Sequence, residues 1–271
     1  MPYAARMRAR ILLNTPDIEL WPAWLLRARG NADARILAQS DWVLRRKRDG
    51  RYLAAAQRRG LMPLLPRWTR GVDGDAALDA LGSQGGRALR DGRLPLEGLK
   101  RRLDLLGLDP DRYEARTGLA LVPEPAWLAL AGFDRYRRPL WLAAGAARAW
   151  QRMRAAAYRD GVVLEAISGY RSHDYQLGIF ERKRARGLPV EQILTVNAAP
   201  GYSEHHGGHA LDIGTPGEPA AEESFERTGA FAWLRERAGG FGFRMSYPRD
   251  NPHGIVYEPW HWCHRAADRD G

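Results

Sequence analysis

From residue 119 onward, the pattern of apolar and polar positions changes period repeatedly and predicts short strands mixed with helices. An Ala-, Leu- and Trp-rich stretch without a helix breaker predicts a helix over 139–158, and Gly161 follows it as a C-terminal cap. Two more helices are predicted over 174–186 and 230–238. Strands are predicted over 162–167, 209–213 and 242–245. Because strands and helices do not alternate regularly, the pattern predicts an α+β domain, with a small mixed or antiparallel sheet and flanking helices.

The first 116 residues show a different pattern. An apolar-periodic segment covers 34–59, with an interruption at Asp49 and Gly50, and another segment covers 96–106. Glycine and proline separate these segments from their neighbours, as expected between short helices. We therefore expect a mostly helical region at 1–116, followed by the α+β domain at 117–271.

Charge divides the chain in the same way. The 271 residues carry a formal net charge of +10, and residues 1–116 hold 23 Lys and Arg against 14 Asp and Glu. Such a surplus predicts a polyanionic partner, for example an acidic polymer or an anionic membrane surface. The basic run 45–48, near Trp42 and Tyr52, could contact phosphates, but no nucleic-acid motif accompanies it. A solvated helix face is therefore the favoured interpretation, and nucleic acid is not an expected partner.

The sequence says little about the compartment. No apolar stretch reaches the ~18 residues that a transmembrane helix needs. The N-terminus offers three consecutive apolar residues at 11–13, whereas a secretory signal needs about 7–15, so no signal is visible. The single cysteine, Cys263, excludes an internal disulfide and leaves the compartment open.

Histidines indicate where the chemistry lies, since all seven come after residue 172. A hydrolytic zinc site needs three protein ligands and an open position. His205 and Asp212 are seven residues apart, so the glycines at 207–208 must turn the chain before both can face one ion. Glu258 and His261 are three residues apart around Pro259, which likewise requires a bend, and a carboxylate so placed is suited to act as a base.

Three blocks of sequence carry a resemblance to a known family. They are Ser-Gly-Tyr-Arg-Ser at 168–172, Ser-x-His-x-x-Gly-x-Ala-x-Asp at 203–212 and Glu-Pro-Trp-His-Trp at 258–262. In order and spacing they resemble the signature blocks of the VanY-type D-alanyl-D-alanine carboxypeptidases, zinc metallopeptidases of the superfamily that also holds lysostaphin and hedgehog. The resemblance covers roughly residues 117–271, and nothing in residues 1–116 resembles a family in this way.

The resemblance implies one zinc ion (Zn2+) per chain, held by His205, Asp212 and His261. It also implies that Glu258 is the general base and that Arg171 stabilises the developing oxyanion. The implied reaction removes the C-terminal D-alanine from the stem peptide of peptidoglycan. Four further residues are expected to contact that substrate: Ser203, Gln176, Tyr170 and Trp260.

Other interpretations stay open. An L,D-carboxypeptidase or a D,D-endopeptidase would use the same bond-breaking residues with a different pocket. A zinc-bearing module without catalysis is the alternative from a different class, although the presence of Glu258 argues against it. His206 and His209 are not expected to bind metal, and Cys263 is expected to be a buried small residue. The implied substrate places the protein in the periplasm or cell envelope, while the lack of a visible signal leaves the cytoplasm open.

Overall fold

The computed structural model describes residues 8–82, 92–96 and 98–265. Contacts divide the chain into two compact units. The first unit comprises residues 1–94 and 126–129, and the second comprises residues 95–125 and 130–271. Among the described residues, no helix combines the length and the hydrophobicity needed to cross a bilayer.

The first unit is built on an antiparallel sheet in the order β5-β4-β3-β2-β1. Residues 127–129, the start of β6 (Trp127–Phe133), pair with β1 on its free side. The core contains Ile18, Leu20 and Leu44, none of which is exposed to solvent. The elements of this unit are β1 (Ile11–Asn14), β2 (Ile18–Pro22), α1 (Asn31–Ala38), β3 (Trp42–Arg46), β4 (Tyr52–Gln57), β5 (Gly60–Pro63) and α2 (Val72–Gly82).

The prediction of a mostly helical N-terminal region is wrong for residues 11–63, which hold five strands. The segment 34–59 contains α1 and then the β3–β4 hairpin, whose turn includes Gly50 at a positive φ of 68°. Residues 42–44 and 53–56 are buried without interruption, so their apolar runs lack the alternation that distinguishes a strand from a helix. The dipeptide Asp49-Gly50 is typical of a hairpin turn, and it was the one signal in the sequence from which a pair of strands could have been predicted.

The second unit contains a four-stranded antiparallel sheet in the order β10-β11-β9-β8, with helices around it. The α+β class with flanking helices is therefore confirmed. The later residues of β6 also belong to this unit. Its other elements are α3 (Leu99–Asp104), α4 (Pro110–Thr117), β7 (Pro139–Leu142), α5 (Ala144–Arg159), β8 (Glu165–Ser168), α6 (His173–Arg184), α7 (Val190–Leu194), β9 (Ala210–Gly214), α8 (Gly229–Arg237), β10 (Phe243–Met245) and β11 (His261–His264).

Helix α5 shows how the sequence positions these elements. It buries Ala146, Ala149, Trp150 and Met153, which recur at the three- and four-residue spacing of one helix face. The predicted helix over 139–158 was too long at its start, because residues 139–142 form strand β7. Three consecutive apolar residues after Pro139 suit a buried strand as well as a helix.

Helices α3 and α4 lie in the second unit, although the sequence pattern grouped them with the basic region. Leu99, Leu103 and Tyr113 share a buried apolar cluster with Leu177 and Phe180 of α6. The functional division at residue 116 stays a prediction. Removing residues 1–116 would, however, expose part of this core.

Candidate active site

The register of the four-stranded sheet brings two of the expected ligands together. Asp212 in β9 lies directly opposite His261 in β11, and on its other side it faces Ser168 at the end of β8. Asp212 and His261 are 5% and 3% exposed. Two residues 49 positions apart in sequence thus become cross-strand neighbours.

His205 reaches the same point from a short 3-10 turn at Glu204–Gly207. Gly208 follows with a φ of 71°, a left-handed conformation that glycine adopts without strain, and turns the chain into β9. The bend at Pro259 is also present, since the amide of His261 donates to the carbonyl of Glu258 at 3.1 Å. Both bends expected from the sequence are confirmed.

Three donor atoms converge at this point. Asp212 Oδ1 lies 3.3 Å from His205 Nε2 and 3.2 Å from His261 Nδ1, and all three atoms lie within 4.8 Å of one another. Ligand atoms bound tetrahedrally at ~2.0–2.1 Å from one zinc ion would be about 3.3 Å apart. The spacing of the donors therefore fits a zinc ion.

Hydrogen bonds outside this point fix which atom each residue offers. His205 Nδ1 donates to the carbonyl of Gly169 at 2.7 Å, so Nε2 carries the lone pair. His261 Nε2 donates to Glu204 Oε2 at 2.9 Å and leaves Nδ1 for a cation. Such partners orient metal-ligating histidines in the same way.

The electrostatics of the three donors favour a positive charge between them. Burial, followed by the charge of Arg171, lowers the pKa of His205 to about 4, so its imidazole is neutral. Burial opposes ionisation of Asp212, but His205 and Arg171 outweigh it and hold its pKa well below the usual range. Burial also opposes charge on His261, yet hydrogen bonds to Asp212 and Glu204 raise its pKa to about 10. A site that holds a proton this firmly also attracts a metal cation.

Glu258 is the carboxylate beside this group of donors. Its Oε2 lies 3.8 Å from His261 Nδ1, and its amide donates to the carbonyl of Tyr247 at 3.0 Å. Burial raises the pKa of Glu258 to about 7, although the charge of His261 acts against the rise. A carboxyl group with a pKa near neutrality can both accept and return a proton.

Arg171 is bound to Oδ2 of Asp212, whereas the two histidines lie at Oδ1. Its guanidinium donates to Asp212 Oδ2 and, at 2.9 Å, to the hydroxyl of Ser168. Its backbone carbonyl accepts from His206 Nδ1 at 2.7 Å, while His206 Nε2 accepts from the amide of Gly201 at 3.1 Å. Both nitrogens of His206 are therefore engaged, and this histidine supports the loop of Arg171.

A second buried carboxylate supports the same loop. Glu124 accepts from the hydroxyl of Tyr170 at 2.6 Å and from the amide of His173 at 2.8 Å. The imidazole of His173 continues the network by donating to the carbonyl of Val122 at 2.9 Å. The loop that carries Arg171 is thus fixed by side chains from outside its own block.

A cavity of about 360 Å³ opens onto the donors. Ser203, Gln176 and Trp260, three of the four residues expected to contact substrate, line it. Tyr170 is not among the described residues that line the cavity, because its hydroxyl is directed at Glu124. The remaining walls include Lys183, Asn197, Tyr247, Ile255 and Val256.

Sequence reasoning missed Glu204 and Tyr247. Glu204 is half-buried between His261 and Arg265. Burial opposes its ionisation, but the hydrogen bond and charge of His261, together with Ser246 and Arg265, outweigh burial and lower the pKa of Glu204 to about 2. The ring of Tyr247 packs against that of His261 at 4.8 Å between centroids. Glu204 adjoins His205 in the second block, and that adjacency was the one available signal.

The other histidines and the cysteine are placed elsewhere. His209 is exposed and its ring stacks on that of His264 at 6.4 Å. Cys263 is a buried free cysteine, as expected from the sequence. His253 Nδ1 donates to the carbonyl of Thr117 at 2.8 Å, away from the donor group. Among the described residues, the one set of three donors close enough for a metal is His205, Asp212 and His261.

Such a fold, with two histidines, an aspartate and an adjacent buried glutamate, defines the class of zinc peptidase-like domains. Comparison with known proteins then identifies the family. The profile of VanY, D-alanyl-D-alanine carboxypeptidase, matches residues 139–267. VanXYC of Enterococcus gallinarum, a bifunctional D-Ala-D-Ala dipeptidase and D-Ala-D-Ala carboxypeptidase, is 30% identical over 146 residues, which are 51% of this chain and 74% of VanXYC. The chain belongs to the VanY family.

Two further proteins illustrate the likeness. YodJ of Bacillus subtilis is 38% identical over 121 residues, which are 43% of each chain. A mutant of the vancomycin-resistance D,D-pentapeptidase VanY, solved in complex with Zn(II), is 30% identical, with 46% of this chain and 73% of that chain covered and a TM-score of 0.39. The chain spans less than half the length of the curated relatives that it matches first.

Proposed function

We propose that the second unit is a zinc-dependent D,D-carboxypeptidase that removes the C-terminal D-alanine from the peptidoglycan stem peptide. The observation that carries the proposal is the convergence of His205 Nε2, Asp212 Oδ1 and His261 Nδ1 beside the buried carboxyl of Glu258. Membership of the VanY family and the D-Ala-D-Ala carboxypeptidase activity of VanXYC support the same substrate class.

The three donors would hold one zinc ion, which polarises a substrate carbonyl and makes water more acidic. Glu258 accepts the proton of the attacking water at its carboxylate and then returns it to the leaving amino nitrogen of D-alanine. Its pKa of about 7 suits both transfers, because neither protonation state is strongly favoured at neutral pH. No covalent intermediate with the protein is required.

Arg171 supplies positive charge where the carbonyl oxygen becomes an oxyanion. Its ion pair with Asp212 and its hydrogen bond to Ser168 hold the guanidinium in place before substrate arrives. Such preorganisation reduces the reorganisation that the transition state requires. Ser203 and Gln176 provide hydrogen bonds to the peptide, and Trp260 provides an apolar contact in the cavity.

Defined stem peptides test the proposal. The protein is incubated with zinc and with tri-, tetra- and pentapeptide stems, and mass spectrometry identifies the products. Loss of one alanine from the pentapeptide supports a D,D-carboxypeptidase. Loss of alanine from the tetrapeptide instead would indicate an L,D-carboxypeptidase, and internal cleavage of cross-linked stems would indicate an endopeptidase. Zinc binding without any cleavage would indicate the non-catalytic module.

For the first unit, we infer a role as an adaptor to a polyanion in the cell envelope. Three arginines, Arg27, Arg29 and Arg51, line one cavity of about 460 Å³ beside Tyr52, and the region as a whole carries the charge surplus. Clustered cations attract polyanions within a Debye length of about 8 Å at physiological salt. Binding to purified peptidoglycan sacculi at increasing salt tests this role.

A further inference from the structure

The first unit holds two adjoining cavities of ligand size. The arginine cavity, of about 460 Å³, is lined by Arg27, Arg29 and Arg51. The tryptophan cavity, of about 600 Å³, takes its name from Trp24. Leu26 and Leu37 line both cavities, so a ligand longer than either one can extend across the two. Volumes of ~300–1,000 Å³ are typical of sites that bind small molecules.

Trp24 is fixed at one edge of its ring and otherwise open to solvent. It lies in the short 3-10 turn Ala23–Leu25 and is 37% exposed. Its Nε1 donates to the carbonyl of Ala9 at 2.8 Å, and the guanidinium of Arg8 lies 5.5 Å from the ring centroid. A fixed aromatic ring binds a ligand with little loss of conformational entropy. The C–H face of a sugar ring packs on an indole of this kind, while the hydroxyls at the edge of the sugar meet polar groups.

Each cavity also combines cations with a carboxylate. Asp41 lies in the tryptophan cavity with Arg8, and Asp33 lies in the arginine cavity. A ligand that is only anionic is repelled by these carboxylates, whereas a ligand that also carries hydroxyls donates to them. Ser40 adds an acceptor in the tryptophan cavity, because its hydroxyl already donates to the carbonyl of Ile36 at 2.7 Å. The two cavities therefore suit a ligand with both acidic groups and hydroxyls.

Two guanidinium groups of the arginine cavity have no ion-pair partner among the described residues. In that part of the chain, no carboxylate oxygen lies within 4 Å of the guanidinium of Arg27 or of Arg29. Arg51 Nε lies 3.9 Å from a carboxylate oxygen of Asp49, and its side chain is 69% exposed. Guanidinium groups bind carboxylate and phosphate oxygens in pairs. These arginines are thus placed to bind the acidic groups of a ligand.

We propose that the two cavities together bind an acidic saccharide, a chain of sugar rings that carry carboxylate or phosphate groups. The inference rests on the adaptor role proposed for the first unit and names the chemistry of its polyanion. Trp24 contacts the face of one sugar ring, Asp33 and Asp41 accept from hydroxyls, and the arginines bind the acidic groups. A DNA strand would bring bases and phosphates but no hydroxyls along its chain for these carboxylates.

Calorimetry on the full chain tests the proposal with three matched hexamers. Hexagalacturonate carries one carboxylate on each sugar ring, capped hexaglutamate carries the same number of carboxylates without rings, and maltohexaose carries rings without charge. We expect the Kd for hexagalacturonate to be roughly tenfold lower than the Kd for either of the others. Hexagalacturonate alone uses both the ring contact with Trp24 and the charge of the arginines.

Variants assign the effect to residues. Trp24→Ala should raise the Kd for hexagalacturonate about tenfold, since truncating a tryptophan anchor typically costs that much, and should leave hexaglutamate nearly unchanged. Trp24→Phe keeps an aromatic face and should keep most of the affinity. Tyr158→Ala removes a 74% exposed ring of the second unit and serves as the control, with no change expected. Replacing Arg27 and Arg29 by glutamine should weaken both acidic hexamers by a similar factor, and by less as salt rises.

Four outcomes would overturn the inference. Equal Kd values for hexagalacturonate and hexaglutamate would show that the sugar rings are not recognised, and equal values for hexagalacturonate and maltohexaose would show the same of the charge. Unchanged affinity of Trp24→Ala for hexagalacturonate would exclude Trp24 from the site. Tighter binding of hexathymidylate than of hexagalacturonate would assign the cavities to a nucleic acid.

Binding to sacculi separates this inference from the adaptor role. If both acidic hexamers bind equally and salt releases the protein from sacculi, the adaptor role stands and the saccharide inference fails. If hexagalacturonate is bound through Trp24 while sacculi are not bound, the adaptor role fails and the saccharide site stands.

Discussion

The two units of this protein treat buried polar groups differently. In the first unit, Glu19 is buried and accepts from Trp21 Nε1 at 2.8 Å and from Arg45 at 2.7 Å, so its charge is satisfied within the sheet. In the second unit, His205 and His261 are buried with one nitrogen satisfied and the other directed at a shared point. A buried polar group whose hydrogen-bond partners all come from the protein stabilises the fold. Donor atoms that converge on one point that no protein group fills instead predict a bound ligand.

This difference in buried polar groups indicates the functional site more clearly than the amino-acid composition of the two units does. The first unit is the more basic, yet its charges lie mainly on exposed side chains such as Arg27 and Arg51, where each contributes little to stability. The second unit is nearly neutral in sum but buries His205, Asp212 and Glu258 around one cavity. Burying ionisable groups is costly, and such cost is typical of a site that has to bind or react.

The largest effect that would test this comparison is on turnover. Glu258→Gln keeps the size of the side chain but cannot accept a proton, so kcat on a stem pentapeptide should fall by roughly 10²–10⁴-fold with zinc still bound. Activity and metal content are measured on the same sample. If zinc is lost as well, Glu258 is a ligand and the assigned donor set is wrong.

Metal content gives the next effect. His261→Ala removes one of three donors, so elemental analysis should show a fall from about one zinc per chain to a small fraction of that value. His209→Ala, which removes an exposed histidine, serves as the control and should keep full occupancy. Full occupancy in His261→Ala would contradict the assigned site.

A smaller effect on zinc affinity is expected for Glu204, which accepts a hydrogen bond from the metal-ligand residue His261. Glu204→Gln weakens the hydrogen bond that orients His261, and loss of such partners typically weakens metal affinity by about 10–100-fold. Competition with a chelator of known affinity measures the change. An unchanged affinity would show that the Glu204–His261 contact only stabilises the fold.

The pKa of Glu258 predicts an effect on stability in the metal-free protein. Its folded pKa, about 7, lies above the unfolded value, so the protonated form is favoured on folding. The stabilisation is complete below the unfolded pKa and is lost as pH rises through about 7. Glu258→Gln should therefore raise the free energy of unfolding by roughly 1–3 kcal/mol at pH 8, and by less at pH 5. Urea unfolding after metal removal checks this, and an equal effect at both pH values would contradict it.

The smallest effect concerns the first unit. Replacing Arg27, Arg29 and Arg51 together by glutamine should weaken binding to sacculi by about three- to tenfold at low salt, and the difference should shrink as salt rises. Hydrolysis of small stem peptides should stay within about twofold of normal. A loss of peptide hydrolysis in this variant would show that the first unit contributes to the reaction itself.

Three of the four strands of the second sheet could be predicted because their signals are local, whereas β11 was not predicted. The runs 162–167, 209–213 and 242–245 overlap β8, β9 and β10 as the structure has them. The strands of the first unit were missed because their buried runs do not alternate, and a continuous apolar run is compatible with either element. Only pairing between distant segments, which sequence period does not encode, decides such cases.

For the candidate site as well, features set by neighbouring residues could be predicted, and features set by distant pairing could not. The bends at Gly208 and Pro259 follow from residue chemistry and were predicted. Glu204 was missed because its partner His261 lies 57 residues later and meets it only through the sheet register.

The pairing of Asp212 with His261 also bears on how the chain reaches its folded state. Aligning these residues closes a loop of 49 positions, which costs chain entropy before contacts repay it. A slip of one residue between β9 and β11 would turn His261 to the opposite face and destroy the donor set. An ion bound there would therefore act as a clamp against misregistered pairing. Amide hydrogen exchange in β9 and β11 should slow more on zinc binding than exchange in β3 and β4, which share no donor.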